Sequence, residues 1–292
     1  MAGLNLYREP LTLDEAARAG LPGQFVKLPD GVTHYELAGP PEGQPVVLIH
    51  GFSTPYHLWD PTFQPLAEAG FRTLRYDLYG RGYSDRPDVT YNDALFDRQL
   101  LHLLDALGIT APADLVGISM GAAIAVNFAD RHPQRVRRLA LIGPVGFAIN
   151  PSLAALALFT PVLGEVLMAL AGDRIIIDGL ARDFHRPQDH PEYVEKYRPQ
   201  MQYRGFKRAL LSTMRNMKLT GLAEVYRRVG QQGRPVLLLW GREDESVPLA
   251  AHNRVQEAIP QAEFHAIDEA GHVAHYERPE VANPLLIDFL RR

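Results

Sequence analysis

Residues 114–121 read DLVGISMG, an apolar run that opens onto a serine with a glycine two places away on either side. Leu115-Val116 predicts a buried strand and 122–129 (AAIAVNFA) predicts a helix, so Gly117-Ile118-Ser119-Met120-Gly121 falls at a strand-to-helix turn. Small residues at the two flanking positions permit a tightly pinched backbone. Such a backbone lifts the serine hydroxyl clear of a sheet and sets the following N–H at a helix start. Ser119 is thereby a candidate nucleophile. The pentapeptide also arises by chance in ordinary turns, so its surroundings decide.

Working outward, 24–28 and 32–37 alternate partially and flank Pro29-Asp30-Gly31, a hairpin signal that predicts two antiparallel strands. From Val46 to Ile49 (VVLI) a continuous apolar strand runs into His50-Gly51-Phe52, and a helical pattern follows from about Leu58 to Ala69. Then come a strand at 72–76, the loop Asp77–Ser84 (DLYGRGYS) and a helix at 94–107 with leucines at 100, 101, 103, 104 and 107. Beyond the serine turn, 136–142 is a further strand. The alternation resumes with strand 236–240, a helix near 248–258, strand 264–267 and helix 279–290. This is an α/β pattern with a mostly parallel central sheet flanked by helices.

Residues 147–230 interrupt the rhythm. They are mostly helical in pattern, with Ile175–Ile177 as the one strand-like run, and are expected to form a helical cap inserted into a core of 1–146 and 231–292. The first part of the cap is strongly apolar, and Leu153, Leu156, Phe159 and Leu163 are its candidate substrate contacts. The same side chains are also expected to serve as the cap's own core. The uncharged run 139–164 is long enough to suggest a membrane span, but Pro144, Pro151 and Pro161 divide it into strand, loop and short helix.

A net charge of −4 and a pI near 6.3 leave no basic field for nucleic acid, and Arg135, Arg137 and Arg138 read as a local solvated cluster. With no cysteine, thiolate catalysis, disulfides and Cys-ligated zinc are excluded. The N-terminal stretch lacks a basic region followed by an apolar core, so a cytoplasmic protein is expected.

A serine hydroxyl near neutral pH needs a base, usually imidazole, which in turn needs a carboxylate to fix its tautomer. His272, in Glu269-Ala270-Gly271-His272-Val273, follows a strand end, where parallel sheets place their sites. Asp244 follows another, in Trp240–Pro248 (WGREDESVP). Asp268, Glu243 and Glu245 are its rivals as the acid. Among the other histidines His275 is closest to the motif, and it reads as a surface helix position rather than a metal partner of His272.

The order Ser119, Asp244, His272, together with His50-Gly51-Phe52 and the Asp77–Ser84 loop, resembles the α/β-hydrolase-fold serine hydrolases over about residues 24–290. The resemblance implies an α/β-hydrolase fold with an inserted cap. It also implies an oxyanion hole made by the Phe52 and Met120 backbone N–H groups and a mainly structural role for the 77–84 loop. A serine esterase acting on small or medium acyl esters is the expected activity, with no cofactor and no metal. Cleavage of carbon–carbon bonds in ring-fission diketones is the alternative, since the cap resembles those enzymes too. Two places depart from them: Phe52-Ser53-Thr54-Pro55 replaces their usual Gly-Pro-Gly, and Ile118 stands where they commonly carry Asn. Cofactor-free haloperoxidases share the three residues. A non-catalytic ligand receptor is the remaining alternative, set against an intact constellation. The partner expected is a small-molecule ester.

Overall fold

The computed structural model describes residues 6–147 and 153–292, with side chains in the second stretch from residue 156. Eight strands form one sheet: β1 (Gln24–Leu28), β2 (Gly31–Ala38), β3 (Pro45–Ile49), β4 (Arg72–Tyr76), β5 (Ala113–Ile118), β6 (Val136–Ile142), β7 (Val236–Gly241) and β8 (Glu263–Ile267). Their order is β1-β2-β4-β3-β5-β6-β7-β8. The hairpin β1–β2 and the pair β2–β4 are antiparallel, and every pairing from β4 to β8 is parallel. This is the α/β-hydrolase fold expected from the sequence.

The central strands are apolar on both faces because both faces are covered. Val47, Ile49, Leu115, Leu238 and Trp240 point into one core with the helices Asp93–Ala106 and Met120–Arg131. Val46, Leu48, Val116, Leu237 and Leu239 point into the other, with Asp60–Glu68 and Pro279–Arg291. The period-two alternation of a strand divides consecutive residues between two cores, which is why these runs read as unbroken hydrophobics. Parallel pairing also puts the carboxyl ends of β3, β5, β7 and β8 on one edge, so the loops that follow them converge there.

The inserted helices are Leu153–Phe159, Leu163–Arg182, Pro191–Tyr197 and Phe206–Asn216. Ile175–Ile177 is not a strand but lies inside the second of these. Gly164, Met168, Gly172, Ile176 and Leu180 recur every four residues on its buried face, a helical stripe that overrides the local β preference of three isoleucines. The expected cap boundary also shifts. The helix Ala223–Gln231 packs on the sheet layer: Tyr226 and Val229 join its core, Tyr226 Oη donates to Val145 O at 2.6 Å, and Arg228 holds Asp130 on the helix after the serine. Residues near the N-terminus lie over the cap, where Leu11 N donates to Gln202 O (3.0 Å) and Arg204 N to Leu11 O (2.8 Å).

The arginines at 135, 137 and 138 are not simply solvated. Arg137 forks onto the buried Asp114 (2.9 and 2.5 Å) and donates to Leu290 O, while Arg135 pairs with Asp105. No helix among the described residues is long and apolar enough to cross a membrane.

Candidate active site

Ser119 sits between β5 and its helix with φ 54° and ψ −117°, a conformation unfavourable for a residue with a Cβ and one that costs about 1–3 kcal/mol. The surroundings enforce it: Ser119 N donates to Ile142 O on β6 (2.9 Å), and the helix begins with Ala122 N and Ala123 N bonding back to Ser119 O. The two flanking glycines are needed for space. A Cβ on Gly117 would lie 2.5 Å from Gly121 O, and one on Gly121 would lie 2.1 Å from Ile49 O.

Asp244, in the loop after β7, accepts two backbone N–H groups at Oδ1, from Ser246 (2.9 Å) and Val247 (2.8 Å). Its Oδ2 accepts His272 Nδ1–H at 2.8 Å. The loop is closed behind it by Trp240 Nε1 donating to Val247 O. Of the acids considered from sequence, only Asp244 reaches the ring. Asp268 pairs with Arg242 on the surface, Glu243 accepts Ala270 N, and Glu245 is exposed.

His272 is buried, and burial by itself would lower its pKa. The charge and hydrogen bond of Asp244, with the charge of Asp183, overcome that and push it up to about 9. His275 is corrected: it is buried rather than on the surface, stacked obliquely on Trp59 at 4.4 Å with Nε2 bonded to Leu58 O, and burial takes its pKa down to about 3.

The loop after β3 comes up beside the serine, and a Cβ on Gly51 would lie 3.7 Å from Ser119 Cβ. His50, held neutral by burial, pins this loop to its neighbour by accepting Leu78 N at Nε2 while Nδ1 donates to Gly51 O. Arg81 is fully buried and donates from Nε to Phe52 O at 2.8 Å. Asp77 accepts His34 Nδ1, Tyr56 N and Tyr83 N, and Ser84 Oγ donates to Asp77 O, so the 77–84 loop acts as a backbone brace. Met120 is the first residue of its helix, so its N–H has no carbonyl one turn back.

Ser119 and His272 open into one cavity of about 420 Å³, roofed by the cap. Its roof is Leu158, Met168, Ile175, Ile176, Leu180 and Leu210. The contacts expected from sequence are corrected here: Leu156, Phe159 and Leu163 are 47 %, 39 % and 46 % exposed and do not line it. Helical phase is the cause: Leu158 points inward on its helix and Gly164 on the next, so Leu156, Phe159 and Leu163, one or two places away from them, point outward. Leu153 lies outside the residues whose side chains are described. Sequence reasoning also missed the pair Arg182-Asp183, which ends the long cap helix on the cavity wall. No spacing or motif marks either residue, because the helix is brought to the site only by the folding of the cap.

A family model described as "Alpha/beta hydrolase family" matches residues 46–284. The 2-hydroxymuconate semialdehyde hydrolase of Pseudomonas sp. (strain CF600) is 32% identical over 85% of this chain and 87% of its own. The 2-hydroxy-6-oxo-6-phenylhexa-2,4-dienoate hydrolase of Comamonas testosteroni is 31% identical over 91% of this chain and 93% of its own. Among solved structures, a thermophilic esterase from Thermogutta terrifontis superposes with a TM-score of 0.79 at 25% identity, covering 92% of this chain and 98% of that one.

Proposed function

Because this chain belongs to the alpha/beta hydrolase family, we propose that it is a serine hydrolase in which Ser119, His272 and Asp244 carry out acyl transfer to water. The observation that carries this is the convergence of a strained, elbow-borne serine with a carboxylate-bound histidine on one cavity. In this reading Ser119 Oγ attacks a carbonyl carbon and His272 Nε2 takes its proton. Asp244 fixes the Nδ1–H tautomer and stabilises the resulting imidazolium. The developing oxyanion faces the N–H groups of Phe52 and Met120, each worth about 3 kcal/mol in the transition state. Collapse expels the leaving group, which recovers the proton from His272, and water then releases the acyl-enzyme by the same steps.

Two bonds suit this machinery. The relatives named above support carbon–carbon cleavage, since one is a hydrolase of 2-hydroxymuconate semialdehyde and the other of 2-hydroxy-6-oxo-6-phenylhexa-2,4-dienoate, and both align over most of the chain. A carbon leaving group needs its charge delocalised into a conjugated acid, and Arg182 is the cation lining the cavity that could receive a carboxylate. Ester hydrolysis is supported by a different observation. The half-buried ionisable group beside His272 is the acid Asp183, and Ile118 and Phe52 make the floor apolar, a setting that suits an uncharged substrate. The test is kcat/KM for p-nitrophenyl esters from acetate to decanoate against a 2-hydroxy-6-oxo-dienoate, with Ser119→Ala as control. A loss of about 10³-fold or more in Ser119→Ala is expected for whichever substrate turns over. Undiminished turnover in that variant overturns the serine mechanism.

A further inference from the structure

We infer that Asp183, carried by the cap, is a positioning residue for His272, a second carboxylate that couples the seating of the cap to the basicity of the imidazole. The inference rests on reading His272 as the base.

Asp183 caps the C-terminus of the helix Leu163–Arg182, and its side chain lines the same cavity as Ser119 and His272. Its Oδ1 accepts Ser246 Oγ at 2.7 Å, and the same Ser246 donates its backbone N–H to Asp244 Oδ1. One residue, Ser246, therefore links the cap's carboxylate to the acid that holds the histidine. On the other side Asp183 O accepts Val273 N at 3.2 Å, directly after His272. The chain at 183–185 passes so close to Gly271 that a Cβ there would lie 2.7 Å from Asp183 O and from His185 N. Glu277 completes the seam, accepting His185 N (2.9 Å) and Arg186 N (3.1 Å) on the cap and Gly271 N (2.7 Å) on the histidine loop. This short strap of the cap is thus joined to both loops that build the site.

A latch alone would not need a charge. Burial pushes the Asp183 carboxyl up, opposed by the charge of His272 and the hydrogen bond from Ser246, and it makes no ion pair among the described residues. An amide would accept the Ser246 hydroxyl equally well without that desolvation. What the carboxylate adds is a negative charge beside His272. The groups facing it are His272, Asp244 and Ser246 from the two site loops, its neighbour Arg182, and Tyr193 and Tyr197 from the next cap helix. Of these, His272 is the group that changes charge during catalysis.

The test uses covalent labelling by a fluorophosphonate probe, which requires the activated serine but no knowledge of the substrate. Labelling rates are measured from pH 5 to 10 for the full-length protein, Ser119→Ala, Asp183→Asn and Ser246→Ala. Wild type should label and Ser119→Ala should not; failure of that arm removes the serine-hydrolase reading itself. Given labelling, Asp183→Asn should still react. Its rate–pH midpoint should fall by about one to three pH units, the ordinary effect of deleting one opposite charge close to an ionisable group. Ser246→Ala, which loosens the carboxylate but keeps its charge, should shift the midpoint the same way by less. A midpoint in Asp183→Asn matching wild type would reduce Asp183 to a docking contact. Should that variant fail to fold, an unmoved midpoint in Ser246→Ala would overturn the coupling in its place.

Discussion

Replacing Asp244 by Asn tests the most specific consequence of the site geometry. In the native loop Oδ1 takes two backbone N–H groups, from Ser246 and Val247, and Oδ2 takes His272 Nδ1–H. An asparagine can satisfy both backbone donors only with its carbonyl oxygen at the Oδ1 place, which turns its NH₂ toward Nδ1. Two donors then face each other, so the ring proton moves to Nε2, where it blocks acceptance of the serine proton. The expected loss is up to about 10⁴ in kcat. The charge effect is separate and opposite in appearance. The influences that hold His272 up at about 9 come first from Asp244, and without them burial dominates and pulls the ring below its ordinary 6.5. That is a fall of more than two units, or roughly 3 kcal/mol of imidazolium stabilisation. Wild-type kcat/KM should therefore climb through pH 7 toward 9, later than the 6 to 7 expected of an unperturbed imidazole, because the base must be neutral to act. The variant's small residual activity should already be flat above pH 7. Steady-state hydrolysis from pH 5 to 10 reads both effects. A variant with near-native kcat, or with its midpoint still near 9, would refute the tautomer argument.

The cap assignments predict that Leu156→Asp and Phe159→Asp leave acyl-chain preference unchanged, whereas Met168→Ala and Leu180→Ala shift it toward longer chains while costing about 2–5 kcal/mol of stability, read by an ester series and urea denaturation. Gly121→Ala should lower Tm by several degrees and reduce serine labelling, since its Cβ would lie 2.1 Å from the Ile49 carbonyl; native thermal stability would contradict the close approach. Burial holds His50 and His57 down at about 4 and His275 at about 3, while unfolding returns each to about 6.5. The unfolded chain therefore binds more protons in that window, and stability should fall progressively as pH drops from 6.5 to 4, by roughly 3 kcal/mol per histidine at pH 4. His275→Phe should flatten that dependence in urea midpoints measured at pH 7, 5.5 and 4.5, and an unaltered slope would argue that the ring is not buried neutral.

Sequence by itself determined what depends on short-range pattern. Strand, elbow and helix around Ser119 follow from a run of apolar residues and two glycines that no other residue can replace. The strands 72–76 and 136–142 have the bounds the pattern predicted, because a strand covered on both faces is written in consecutive side chains. Asp244 and His272 were legible as residues after strand ends, since parallel order sends those ends to one edge. The tertiary structure alone decided which carboxylate meets the imidazole, because sequence separation does not say which way a side chain points: Asp268, close in sequence to His272, turns out to Arg242, while the distant Asp244 turns in to the ring. It decided the helical state of Ile175–Ile177, where a stripe of period four outweighs β propensity, and the phase that turns Leu158 inward and Leu156 out. It also placed Asp183 beside His272, 89 positions later in the chain, through the docking of a cap helix. Contacts of that kind come from side-chain packing between distant elements, which leaves no periodic trace in either segment.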